Sequence, residues 1–163
     1  MAMNTAFAVL PGMTIDELPS GILDATTDYV TGEEAISNAL PAGYVGAFTA
    51  RTNDERDAVV LVGYELMLQP DLIPDIADEA VTAVFAGNSK TWLLIVDGDE
   101  QSRMLTLDAS GVTAEDGEPV EGEPTSVIDG DPEKTLKKAV GDLTGVSLDA
   151  VIADKGLLVI VED

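Results

Sequence analysis

The sequence predicts an α+β fold: one domain over residues 1–163, with a mixed or antiparallel sheet of about five or six strands and helices mainly on one face. Three observations predict it. Short apolar runs bounded by turn residues recur along the chain, and two pairs of them are joined by polar hairpin-type turns. One or two stretches with helical spacing of apolar residues separate the runs. No repeat occurs at a fixed period, which argues against a solenoid or propeller.

The elements follow in order. Residues 1–23 read as irregular, with Pro11, Gly12, Pro19 and Gly21 as punctuation. Within them Thr14-Ile15-Asp16-Glu17 has capping-box spacing, and Pro19 limits it to one turn. Asp24 to Val30 reads as a short strand. Thr31-Gly32-Glu33-Glu34 is a stronger capping box; it opens a helix with Ile36, Ala39 and Leu40 on one face, and Pro41 stops it. Gly43–Thr52 and Asp57–Leu68 read as strands of a hairpin around the polar turn Asn53-Asp54-Glu55-Arg56. The second is apolar on both faces, with Glu65 as its one interior acid, so it reads as a central strand.

Pro70 and Pro74 bracket a turn into a predicted helix from Pro74 to Ala86. Ile73, Ile76, Ala80, Val84 and Phe85 form its apolar side, and its acids lie in the first turns, where the helix dipole favours them. Trp92 to Val96 is the clearest buried strand. The turn Asp97-Gly98-Asp99-Glu100-Gln101 connects it to Met104–Leu107, and Asp-Gly tolerates the positive φ that such turns need. Residues 109–130 hold Glu115, Asp116, Glu118, Glu121, Glu123 and Asp129 with two prolines and no Lys or Arg, and read as a flexible acidic loop. Asp131 caps and Pro132 opens the best helix, with Leu136, Ala139, Val140 and Leu143 as its stripe and Gly145 as its end. Ser147 caps a further short helix, and Leu157–Val161 closes the series as a buried strand.

Composition sets limits on chemistry. The chain has 31 acidic and 8 basic side chains, a formal charge of −23, no His and no Cys. Disulfides, thiolate nucleophiles, cysteine zinc sites, imidazole ligands and histidine-based triads are therefore excluded. Carboxylate, hydroxyl and lysine chemistry remain. A hydrophobic content of 45% is enough for a packed core. No apolar run approaches the ~20 residues that span a bilayer. Met1 to Leu10 carries no Lys or Arg and reads as no signal peptide, so a cytoplasmic location is expected.

Four features were candidates for chemistry. Asp97 and Asp99 resemble the opening of a calcium loop, but Gly and Glu are needed at the sixth and twelfth places, where Ser102 and Asp108 stand. A weak surface cation site is the most they predict. Asp129-Gly130-Asp131 fails likewise, with Lys134 at the sixth place, and is better read as a helix cap. Glu65, with Tyr64 and Trp92, is the candidate ligand pocket, because a carboxylate inside an apolar strand can be buried and perturbed. Gly87-Asn88-Ser89-Lys90-Thr91 lacks phosphate-loop spacing and leads into a strand.

No catalytic residue and no cofactor are expected. The charge repels nucleic acid and anionic membranes and attracts cationic surfaces. The leading expectation is therefore an acidic binding protein that meets a basic partner, a toxin or a nucleic-acid enzyme, through Glu115, Asp116, Glu118, Glu121, Glu123 and Asp129. Its composition is similar to that of immunity proteins, phage inhibitors and DNA mimics. Two alternatives stand beside it: a carboxylate-based enzyme or small-ligand or metal-binding protein, and a protein of a saline host whose charge has no partner.

Overall fold

A computed structural model describes residues 3–37, 40–98 and 101–162. The strands are β1 (Asn4–Pro11), β2 (Leu23–Thr31), β3 (Tyr44–Arg51), β4 (Asp57–Gly63), β5 (Ala80–Ala86), β6 (Thr91–Gly98), β7 (Gln101–Asp108), β8 (Gly111–Asp116) and β9 (Lys155–Val161). The α-helices are α1 (Gly32–Ile36), α2 (Tyr64–Leu68), α3 (Ile73–Ile76), α4 (Pro132–Thr144) and α5 (Leu148–Ile152). The strands form one nine-stranded sheet in the order β2-β9-β3-β4-β1-β5-β6-β7-β8, with every neighbouring pair antiparallel.

This corrects the expected sheet of five or six strands in three places. The first is β1, in the stretch read as irregular. It lies at the centre of the sheet, between β4 and β5. Phe7 and Val9 point to one face and Ala6, Ala8 and Leu10 to the other, and all five are buried. A strand covered on both sides has no polar alternation to betray it. The second is β5, which the sequence reading placed inside a helix. Ala80–Phe85 is a short, wholly buried run, and in such a run periodicity does not separate helix from strand. Its Val81, Thr82, Val84 and Phe85 are β-formers, and only Ile73–Ile76 of that region coils. The third is β8, an edge strand whose residues are exposed or half-buried.

One expected strand is also shorter. Residues 57–68 split at Gly63 into β4 and α2. The lateral partners run out there: β1 pairs only as far as Ala6 opposite Gly63, and β3 begins at Tyr44. Glu65, Leu66, Met67 and Leu68 are good helix formers, and the turn they make buries Leu66.

Both faces of the sheet carry helices, which corrects the expectation of one. On the first face, α1, α4 and α5 cover Phe7, Val9, Phe48, Val60, Phe85, Leu94 and Leu107, with Leu136, Ala139 and Val140 of α4 as the opposing stripe. Phe7 and Phe85 meet edge to face, ring centres 5.4 Å apart. On the second face, α2 and α3 cover Ala8, Leu10, Val45, Leu61 and Val84 with Leu66, Ile73 and Ile76.

The ends of α1, α4 and α5 are closed as their residue types predict. Thr31 Oγ1 accepts from the Glu34 amide at 3.1 Å, and the Glu34 carboxylate accepts from the Thr31 amide at 3.0 Å. Asp131 accepts from the Lys134 amide, Ser147 from the Ala150 amide, and Gly145 ends α4 in the left-handed region at φ 82°.

Candidate functional site

The second face is covered over β1, β3 and β4 but thinly over β6, β7 and β8. Strand alternation places Leu93, Ile95 and Asp97 of β6 on it, and pairing sets Thr106, Met104 and Ser102 of β7 opposite them. Ala114 and Asp116 of β8 pair with Thr106 and Met104 and continue the row. Leu93, Ile95 and Thr106 are half-buried, Ala114 is exposed and Met104 is 37% exposed. The result is an apolar surface around Met104. Asp97 and Asp116 bound it, two strand spacings or about 10 Å apart across the sheet and offset by two residues, about 7 Å, along it.

The expected acidic partner site is divided by the fold. A register shift between Thr106 and Leu107 sets the alternation of β8, so Asp116 joins the Met104 face while Glu115 points to the α4 face, 3.7 Å from Arg103. Glu118 and Glu121 are exposed in the loop that follows. Glu123 turns inward: its side chain is 11% exposed and Arg103 Nη2 donates to it at 2.8 Å. Asp129 is exposed at the start of α4, 2.9 Å from Lys134 Nζ, near the opposite end of the strands. Four of the six acids thus border the β8 end of the sheet, one is internal and one lies elsewhere.

The segment 109–130, expected as a flexible acidic loop, contains β8, and hydrogen bonds are made along its remainder. Arg103 Nη1 donates to the Gly117 carbonyl at 2.7 Å, the Val120 amide donates to Glu123 Oε1 at 2.6 Å, and the Ile128 amide donates to Thr135 Oγ1 at 2.8 Å. Hydrogen bonds from Arg103 hold the Glu123 carboxyl below its ordinary value, and Glu123 and Glu115 together raise the Arg103 guanidinium. Sequence reading passed over Arg103. Its signal was position: it alternates with Leu105 and Leu107, in a row that points inward.

The expected ligand pocket is brought together only in part. Tyr64 and Glu65 line a cavity of about 410 Å³ with Tyr44, Leu40, Pro41 and Leu68. Trp92 is elsewhere, because α2 packs on the second face while Trp92 is buried in the core of the first. It lines a separate hollow with Lys90, Asp108 and Ser110, and among the described residues its indole Nε1 finds no hydrogen-bond partner.

Of the weak metal pair, Asp97 is half-buried at the end of β6, and Asp99 lies outside the described residues. Among the described residues no three acidic side chains converge in a way that could hold a metal ion. No helix among them is long and apolar enough to cross a membrane. Comparison with protein families, curated proteins and solved structures finds no match to this chain.

Proposed function

We propose that the protein is a non-enzymatic binding protein that neutralises or regulates a basic macromolecular partner, acting in the cytoplasm as an inhibitor, immunity protein or DNA mimic would. The observation that carries the reading is the surface around Met104. An apolar centre with a carboxylate rim is the anatomy of a protein interface, and the rim's sign fits a cationic partner. The −23 charge would speed the encounter, while the Met104 centre would set the lifetime of the complex. The lack of cysteine suits a reducing compartment.

Affinity capture with the whole chain tests this reading at low and raised salt, beside the variant Met104→Glu. A basic protein retained by the parent, and lost both with salt and with the variant, is the expected result. Retention that ignores both changes, or no basic protein retained, overturns it.

A second reading has its own observation. Carboxylates also occupy the far edge of the sheet, where Asp24 and Asp28 lie on β2, and the β3–β4 turn, with Asp54 and Glu55. So wide a scatter supports a charge that serves solubility in concentrated salt. A melting midpoint that climbs steeply between low and molar KCl, with no partner captured, would favour that reading over the first.

A further inference from the structure

We propose that the cavity between α2 and the start of β3 binds a small organic cation: an alkylamine or quaternary ammonium group carrying a short hydrocarbon tail. This inference is independent of the partner reading and concerns the opposite end of the strands.

The cavity holds about 410 Å³, toward the low end of ligand pockets, which run from about 300 to 1,000 Å³. Its wall is mostly hydrocarbon and aromatic. Leu40, Pro41 and Leu68 offer apolar contact, and Tyr44 and Tyr64 offer ring surfaces. Tyr64 is 41% and Leu68 56% exposed, an unusual amount of apolar surface for a five-residue helix to leave in water.

Among the described residues of that wall, Glu65 is the one that is charged. Its two oxygens are held by neutral donors: the Gly43 amide at 3.0 Å on Oε1 and the Gln69 side-chain amide at 3.3 Å on Oε2. These bonds orient the carboxylate and leave its charge uncancelled. Among the described residues, no Lys or Arg forms an ion pair with Glu65. A fixed anion beside two tyrosine rings and an apolar wall suits an ammonium head on a short tail, because the rings and the carboxylate both attract the cation while the wall takes the chain. The overall field concentrates cations at the protein and excludes anions of the same shape.

Titration of the full chain with hexyltrimethylammonium, hexylamine, hexanol and hexanoate tests the proposal, with amide shifts of Gly43 and Gln69 reporting the site. Both cations should bind about tenfold more tightly than hexanol and shift those two amides, and hexanoate should not bind. Glu65→Gln keeps the acceptor for Gly43 and should weaken cation binding about tenfold, with hexanol unaffected. Asp28→Asn, on β2 and outside the cavity wall, should change nothing. Equal binding of hexanol or hexanoate overturns the proposal. So does a loss in Glu65→Gln no larger than in Asp28→Asn, or the absence of shifts at Gly43 and Gln69. Should Glu65→Gln not fold, the ligand series and the two amide shifts in the parent chain decide alone.

Discussion

The guanidinium of Arg103 grips the carboxylate of Glu123 along two edges, Nε to Oε1 at 3.1 Å and Nη2 to Oε2 at 2.8 Å. The same group donates to the Gly117 carbonyl, so one buried cation fastens the loop after β8 to the sheet at two points. A bidentate pair of this kind is directional as well as charged.

Removing one partner should hurt more than removing both. Glu123→Ala leaves buried Arg103 with only the longer contact to exposed Glu115, and the midpoint of thermal unfolding should fall by roughly 5–10 °C. Arg103→Met combined with Glu123→Leu should recover much of that loss, because two apolar side chains of similar size leave no stranded charge. Calorimetry of the three chains checks the order.

The pair should also leave a mark on the pH dependence. Folded Glu123 is held below its ordinary value of 4.5, while the unfolded chain binds the proton at that value. Its contribution is therefore complete above about 4.5 and drains away as pH falls through the lower folded value. The difference in unfolding free energy between the parent and Glu123→Gln should be constant from pH 7 to 5 and shrink below that. A difference that grows on acidification would contradict the pairing. The comparison must be a difference, since relief of repulsion among the other carboxylates stabilises both chains alike as they protonate.

Leu136 is fully buried where α4 meets the sheet. Leu136→Ala should cost about 2–5 kcal/mol, the range for a leucine removed from a packed core. Urea titration measures it, and an unchanged slope with a lower midpoint would mark a simple loss of packing.

Gly32→Ala should destabilise, although alanine is the better helix former. A Cβ at Gly32 would stand 2.4 Å from Ile152 Cα and 2.4 Å from the Val151 carbonyl oxygen, both backbone atoms of the α5 region. Neither can swing aside as a side-chain end would. A loss of about 1–3 kcal/mol is expected from overpacking, measured by the same urea titration. A gain would show that α1 and α5 separate freely.

Elements whose signal is chemical were legible in the sequence. Thr31 with Glu34, Asp131 with Pro132, Gly145 and Ser147 name particular backbone atoms to be satisfied, and the helix ends fall where those residues stand. The hairpin of β6 and β7 falls where it was expected, but Asp97 and Gly98 pair with Ser102 and Gln101 inside the ladder and Gly98 has no positive φ, so the Asp-Gly turn was not its reason. What was illegible is what depends on neighbours. Ala6 to Leu10 and Ala80 to Phe85 are strands because other strands flank them and layers cover them, and no short-range spacing encodes that. The site was half legible in the same way. Tyr64 and Glu65 adjoin in sequence and share a wall, whereas Met104, Asp97 and Asp116 meet only through the pairing of three strands.

The central place of β1 has a consequence for assembly. Without the segment from Asn4 to Pro11, the sheet falls into two blocks, β2-β9-β3-β4 and β5-β6-β7-β8, each presenting an open rim of unsatisfied amides and carbonyls. One eight-residue ribbon welds them by bonding to both rims at once. That makes it a keystone whose loan to a neighbouring copy would yield an interlocked pair, and whose synthetic counterpart, added to a chain lacking it, should restore the missing half of the ladder on each side.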